Sequence, residues 1–221
     1  MFGLDDHIAT FSQGGSILIV LLVATLLGLR HATDPDHLAA VSTLMASGRE
    51  HARRRAAALG VWWGLGHALT LVLFGVPILL FDAYLPDLVQ RGAETAVAAL
   101  IVYLAVRLLV RHRHRHAYGR HEVRRPLAAF GIGLVHGMGG SAGVGVLLLA
   151  AIPSTTLAVT SLVVLALFTG VSMTMVTTGL GVTFAARQGA VAAAAPAFGL
   201  ASLAFGLWYA AAVWSLMPYP L

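Results

Sequence analysis

Long apolar stretches alternate with short polar segments along almost the whole chain. A helix that crosses a membrane needs about 20 apolar residues. The stretches that approach or exceed this length are 16–47, 56–81, 95–110, 127–151, 155–184 and 192–217. The pattern therefore predicts an all-α integral membrane protein with about six transmembrane helices, forming one transmembrane domain over residues 1–221.

The composition favours the same class of protein. Hydrophobic residues make up 58% of the chain and charged residues 10%, whereas soluble domains average about 45–50% and about 25%. The absence of cysteine excludes disulfides, thiolate metal sites and cysteine nucleophiles. The sequence also lacks a phosphate-binding loop that ends in Gly-Lys-Ser or Gly-Lys-Thr, so we expect no nucleotide partner.

The basic residues are unevenly distributed between the polar segments. All 14 fixed cations are arginines, and all but Arg30 and Arg91 lie in or beside the segments 48–55, 111–126 and 185–191. Because positively charged loops stay in the cytoplasm, we predict that these loops are cytoplasmic and that both termini lie outside the cell (inner) membrane. Arginines that flank spans contact anionic lipid, so we expect the lipid bilayer, and no nucleic acid, as their partner.

Two short motifs recur in the second half of the chain. Gly28-Leu29-Arg30-His31 returns as Gly133-Leu134-Val135-His136, and Gly66 to Thr70 resembles Gly170 to Thr174. We therefore predict a 3+3 repeat with units at approximately 16–110 and 127–217. Because three spans are an odd number, the second unit is inverted, as in many secondary transporters. Chance similarity between Gly-rich and Leu-rich segments is the alternative.

The polar centre of the first span is the most informative part of the sequence. Five ionisable side chains fall within eight positions, at Arg30, His31, Asp34, Asp36 and His37. Each costs several kcal/mol in lipid unless it is paired, hydrated or bound to metal, so the cluster indicates a functional site. Pro35 removes a backbone bond to the His31 carbonyl and disfavours helix at Asp34. We therefore predict a first helix broken near Pro35.

The residue types of this cluster favour a metal site. On a regular helix His31, Asp34 and His37 share a sector of about 120°, and Asp36 lies on the other side. A break in the helix lets both imidazoles and a carboxylate converge. Imidazole and carboxylate without thiolate suit a borderline divalent ion such as Ni²⁺ or Co²⁺. The structural alternative is an interfacial loop in which Arg30 pairs with Asp34 or Asp36.

Two more intramembrane histidines are candidate ligands. His67 lies in span two between small residues, and His136 begins a run of small residues that contains Ser141. Either histidine alone is more often a hydrogen-bonded core residue, but beside a two-histidine site both become ligand candidates. The predicted metal ligands are His31, Asp34, Asp36, His37, His67 and His136. The residues predicted to support them, to line the pathway or to join helices are Arg30, Ser141, Ser172 and Thr174.

These motifs resemble one family. Arg30 to Leu38 (RHATDPDHL) is similar to the signature of the nickel/cobalt transporter family, in which a histidine, four variable residues and an Asp-His pair share one helix. Gly66 to Thr70 (GHALT) is similar to the family's second motif. His136 to Gly143 resembles the His- and Gly-rich segment of a shorter branch, the urease accessory nickel permeases. Pro35 stands where alanine is commoner in the family.

The resemblance implies a permease that takes up Ni²⁺, with Co²⁺ as a second candidate, as substrate and not as cofactor. It implies that His31, Asp36, His37 and His67 handle the metal. Since only neutral imidazole binds metal, we expect uptake to fall as the pH drops through about 6.5. Gly- and Ala-rich helix faces leave a homo-oligomer open.

Two alternatives to uptake remain at this stage. One is metal efflux or a membrane factor for metallocentre assembly, which the sequence does not distinguish from import. The other is an enzyme, since His31 and Asp36 also fit the H-x4-D arrangement of membrane acyltransferases, and a metallohydrolase is conceivable. Because the sequence lacks an HExxH motif and a soluble catalytic layer, we predict that the chain is not an enzyme.

Overall fold

The structure is a computed structural model that describes residues 17–46, 52–81, 86–113, 126–137, 139, 146 and 148–217. Throughout these residues the regular structure is helical and no strand is present, so the predicted all-α class is confirmed. The helices are α1 (Ile17–His31), α2 (Pro35–Ala46), α3 (Ala52–Phe81), α4 (Asp87–Arg113), α5 (Pro126–His136), α6 (Thr155–Ala186) and α7 (Gln188–Val213).

The helices identify a multi-pass membrane protein. Four of them, α3, α4, α6 and α7, contain a segment long and apolar enough to cross a bilayer, and the bent pair α1 and α2 brings the number to five. Helix α5 is apolar but shorter, and much of the predicted fourth span beyond it lies outside the described residues. The count of six therefore stays a prediction.

The break in the first span is confirmed. Helices α1 and α2 meet at an angle of 44°, and Pro35 is the first residue of α2, where its missing N–H is tolerated. The Asp34 backbone N–H donates to the His31 carbonyl at 3.1 Å, and the Asp34 carbonyl accepts from Leu38 at 3.0 Å. The bond that proline removes is thus replaced by a turn.

Some predicted boundaries are wrong. The expected loop at 82–94 becomes helical at Asp87, so Arg91 and Glu94 lie in α4, and the expected loop at 185–191 shrinks to Arg187 between α6 and α7. Hydropathy marks the part of a helix that lies in lipid, whereas Arg, Glu, Gln and Ala extend the helix beyond it because their helix propensity is high.

Helix α3 lies between α5 and α6, α1 packs on α6, and α4 packs on α7, while α2 contacts both α7 and α4. Glycines permit the closest approaches. A Cβ on Gly133 would overlap the Trp63 carbonyl of α3, and one on Gly64 would come within 2.9 Å of the Gly170 backbone in α6. Small residues at such crossings are the usual way in which membrane helices pack, and here they bring polar side chains of distant segments together.

Candidate metal site

Four histidines from four helices meet inside the bundle. His31 is the last residue of α1, His37 lies in the first turn of α2, His67 lies in the middle of α3, and His136 is the last residue of α5. All four are buried, with His67 and His136 at 0% exposure. Buried polar groups at membrane depth require partners, so this meeting of helix ends indicates a site.

Three of the imidazoles form a compact group. The Nε2 atoms of His31 and His67 are 2.9 Å apart, and the His37 ring centre lies 4.6 Å from that of His31 and 5.1 Å from that of His67. One donor atom from each lies within 4.8 Å of the others. Two nitrogens bound at about 2.1 Å in adjacent corners of a square or octahedron are about 3.0 Å apart, so the geometry suits a shared cation.

Asp36 joins His37 to His136. Its Oδ1 accepts from the His37 backbone N–H at 2.9 Å and lies 3.1 Å from His37 Nδ1. Its Oδ2 lies 3.3 Å from His136 Nε2. Asp36, His37 and His136 thereby form a second group whose donor atoms lie within 4.8 Å of one another.

Asp34 and Arg30 lie at the edge of the cluster. Asp34 Oδ2 is 3.4 Å from His31 Nδ1, and its Oδ1 is 3.5 Å from an Arg30 Nη2 whose side chain is 72% exposed. A carboxylate on one ring nitrogen orients an imidazole and leaves the other nitrogen for a metal. Asp34 is therefore placed to orient His31, while Arg30 offsets its charge.

The predicted supporting residues separate in the structure. The Ser172 hydroxyl donates to the Leu29 carbonyl in the last turn of α1, which holds the helix end that carries His31. The Thr174 hydroxyl instead donates to Gly170 in its own helix at 2.8 Å, so the contact does not support a role for Thr174 at the cluster. Ser141 lies outside the described residues.

Sequence reasoning missed two residues beside the cluster, Thr70 and Trp63, and the buried Glu94 of α4. The Thr70 hydroxyl can donate to the Gly66 carbonyl of its own helix at 3.0 Å and to the Leu134 carbonyl of α5 at 3.1 Å, near the end that carries His136. Trp63 stacks near His37 at 5.9 Å and edge-on to His136 at 5.8 Å. Trp63 and Thr70 lie one turn before and one turn after His67, so all three share one helix face. That spacing is the sequence signal that could have identified Trp63 and Thr70. Glu94 is buried in α4, where it accepts from Gln90.

The site contains buried nitrogens that lack hydrogen-bond partners among the described residues, namely His37 Nε2, Trp63 Nε1, His67 Nδ1 and His136 Nδ1. Such groups are rare in folded proteins because each costs the free energy of its lost hydration. An imidazole nitrogen without a partner is also a lone pair or proton donor available to a guest. The cluster is thus chemically equipped to hold a divalent cation.

Comparisons with known proteins agree with this chemistry. A family model described as high-affinity nickel-transport protein matches residues 17–125, a range that contains every predicted ligand except His136. The family and the relative named for transport are not enzymes, which confirms the prediction against an enzyme. No solved structure gives a significant match.

Two curated relatives match the chain. It is 31% identical over 139 residues to urease accessory protein UreH of Bacillus sp. (strain TB-90), covering 57% of this chain and 60% of that protein. It is 32% identical over 126 residues to a high-affinity nickel transport protein of Cupriavidus necator, covering 53% of this chain and 35% of that protein. The match therefore spans less than two thirds of either relative. Over residues 17–125, just under half of its length, this chain is similar to the family of high-affinity nickel-transport proteins, in agreement with its motifs.

Proposed function

We propose that this chain is a permease that takes up Ni²⁺, and Co²⁺ as a second substrate, across the cell (inner) membrane through the buried histidine and aspartate cluster. The observation that carries the proposal is that His31, His37, His67, His136 and Asp36 meet in one buried cluster inside the bundle, as two groups of potential ligands that share His37. The similarity of residues 17–125 to the family of high-affinity nickel-transport proteins supports nickel transport as the class of function.

The cluster suits a cation for two electrostatic reasons. Asp34 and Asp36 supply negative charge to a site whose other ligands are imidazoles. Helices α1 and α5 also both end at a cluster histidine, and the C-terminal end of a helix carries a partial negative charge. A divalent ion is thereby stabilised at a depth where it would otherwise lose its hydration without compensation.

Import needs no nucleotide in this scheme. A divalent cation that moves inward across 100 mV gains about 4.6 kcal/mol, which corresponds to more than three decades of concentration at about 1.4 kcal/mol each. The membrane potential is therefore a sufficient driving force for uniport, in keeping with the lack of a phosphate-binding loop in the sequence.

We propose alternating access between two inverted three-span units as the mechanism. Mirrored contacts support it: Ser172 of α6 donates to Leu29 of α1, and Thr70 of α3 donates to Leu134 of α5. The helix pairs α1 with α6 and α5 with α3 exchange under such a repeat, and both pairs are in contact. In these contacts Thr70 corresponds to Ser172. The sequence motifs instead pair Thr70 with Thr174, two residues further along the chain.

The decisive experiment is metal flux into proteoliposomes. With ⁶³Ni²⁺ outside and an inside-negative potassium diffusion potential, we expect uptake that collapses when the potential is removed, and we expect ⁵⁷Co²⁺ to compete. His67→Ala should abolish uptake, whereas His112→Ala, a change at the end of α4 away from the cluster, should leave it intact. Uptake that is equal in the two variants, or equal at pH 8 and pH 5, would contradict imidazole ligation.

A second candidate is a membrane factor that exports metal or delivers it to metallocentre assembly, and the relative named urease accessory protein UreH supports it. Deletion of the gene distinguishes the directions of transport. We expect nickel starvation in the deleted strain, with nickel-dependent enzymes rescued by added Ni²⁺. Sensitivity to nickel would instead establish export.

A further inference from the structure

The ligand cluster divides into two groups that share one side chain. His31, His37 and His67 form position 1, and Asp36, His37 and His136 form position 2. We infer that the cluster offers two successive resting positions for one cation, with His37 as the ligand common to both. The inference rests on the proposed function, since it describes how the transported ion crosses the site.

The two nitrogens of His37 are differently engaged. Nδ1 lies 3.1 Å from Asp36 Oδ1, on the side of position 2. Nε2 is buried and has no hydrogen-bond partner among the described residues, which makes it the nitrogen available to position 1. The ring centres of His31 and His136 lie 4.6 Å and 4.3 Å from that of His37, so His37 is the bridge between the groups.

The remaining ligands of the two groups are farther apart. The ring centres of His67 and His136 are separated by 6.2 Å, against 4.9 Å for His31 and His67 within position 1. An ion at about 2.1 Å from its ligand nitrogens reaches one group at a time. Two divalent ions this close would repel each other strongly in a medium of low dielectric constant, so occupancy alternates.

The order of the two positions is inferred from the exposed Arg30 side chain, which lies beside position 1 and not beside position 2. Position 1 contains His31, which is 9% exposed and pairs with Asp34 beside the exposed Arg30. Position 2 contains His136, which is fully buried against Trp63. In this conformation an ion reaches three imidazoles first and then moves toward the Asp36 carboxylate.

The test uses a matched pair of variants, His67→Gln and His136→Gln, because both residues are fully buried and each belongs to one position only. In detergent, wild-type protein should bind one ⁶³Ni²⁺. Each variant should still bind one ion, with affinity reduced by about tenfold, since the loss of a ligand or its support typically costs about 10–100-fold. In proteoliposomes both variants should lose flux by more than about 20-fold, a larger loss than in binding.

X-ray absorption at the nickel edge identifies the position that is filled. His136→Gln should show an ion with three imidazoles, and His67→Gln an ion with two imidazoles and a carboxylate. The double variant should bind no ion, and His112→Gln should match wild type throughout. Asp36→Asn is the substitute if His136→Gln does not fold, and it should retain the ion with three imidazoles.

The outcomes separate this inference from the proposed function. If either single variant loses binding completely, or if wild-type protein binds two ions at once, the two successive positions are wrong while nickel transport stands. If wild-type protein neither binds nor transports Ni²⁺, the proposed function fails and the inference fails with it.

Discussion

The two predicted halves of the chain contribute unequal chemistry to one site. The first half supplies both aspartates and three histidines, whereas the second half supplies His136 among its described residues. What the second half adds in α6 is hydroxyl groups, including the buried Ser161, Thr169 and Thr177. The predicted ligands are thus concentrated in one half, while both halves build the bundle that holds them.

The supports, in contrast to the ligands, are shared evenly. Ser172 of the second half bonds to the helix that carries His31, and Thr70 of the first half bonds to the helix that carries His136. Each half therefore holds the helix end of the other. In the proposed repeat, packing and hydrogen bonding are therefore alike in the two units, while the predicted metal ligands lie mostly in one of them.

The same contrast appears at a pair of packing positions. A Cβ on Gly133 would lie 2.9 Å from the His67 backbone nitrogen, and one on Gly28 would lie 3.0 Å from that of Thr169. The side chains of His67 and Thr169 are both fully buried. His67 is a predicted ligand, whereas the Thr169 hydroxyl has no hydrogen-bond partner within the described part of the chain.

The largest effect is expected for His37→Ala, which removes the side chain common to both ligand groups. We expect equilibrium Ni²⁺ binding to fall by more than about 100-fold and flux to vanish, because the loss exceeds the effect of a single supporting residue. Radiolabelled nickel binding to the purified variant measures it. Binding within a few-fold of wild type would contradict the central place of His37.

A smaller effect is expected for the paired variants Ser172→Ala and Thr70→Val. Each leaves a partly buried carbonyl without this side-chain donor, at a cost of up to about 1–3 kcal/mol, and loosens a helix end that carries a histidine. We expect both to lower Ni²⁺ affinity or flux by about tenfold. Thr174→Val is the matched control, because the Thr174 hydroxyl bonds only to its own helix in the contacts described above.

If Ser172→Ala impairs the protein and Thr70→Val does not, the even sharing of supports between the halves is wrong. Flux assays in proteoliposomes, normalised to the amount of folded protein, decide between these results.

Arg30→Gln should have a weak effect. The Arg30 side chain is 72% exposed and its ion pair with Asp34 spans 3.5 Å, and exposed ion pairs contribute about 0–1 kcal/mol. We expect uptake to change by less than about threefold and to lose part of its dependence on ionic strength. Uptake assays at low and high salt test this. A loss of uptake as large as that in His37→Ala would contradict the expectation and assign Arg30 a direct role in transport.

The smallest effect is expected for Thr169→Val, which replaces a buried hydroxyl by a methyl group of similar shape. Because that hydroxyl has no hydrogen-bond partner among the described residues, its removal should leave uptake within about twofold and keep or slightly raise thermal stability. His67→Val at the corresponding position should abolish uptake. Thermal unfolding and flux of the two variants measure the contrast directly.

The sequence identified the ends of elements less well than their centres. Hydropathy located the apolar part of α4 but not the turns from Asp87 to Glu94, since a helix continues wherever its backbone bonds and residue propensities allow. The break at Pro35 was predictable because proline changes the backbone locally. This effect lies within one segment of the chain, so no tertiary information is needed to predict it.

The sequence could not predict which carbonyl each serine or threonine hydroxyl bonds to. Ser172, Thr174 and Thr70 look alike in an apolar helix, and each can bond to the carbonyl four residues before it. Only the crossing of α1 with α6 and of α3 with α5 decides that Ser172 bonds to a neighbouring helix and that Thr70 reaches one in addition to its own Gly66 carbonyl. The Thr174 hydroxyl bonds within its own helix.

The amino-acid sequence alone determined that this is a helical membrane protein and that its polar residues are concentrated where the first span breaks. It did so because lipid penalises every unpaired polar group, whatever the fold. The tertiary structure decided which atoms meet: Asp36 with His136, a hundred residues apart, and His31 with His67. Those meetings depend on how closely helices approach at glycines such as Gly133 and Gly64, which is a property of packing between segments and not of any one segment.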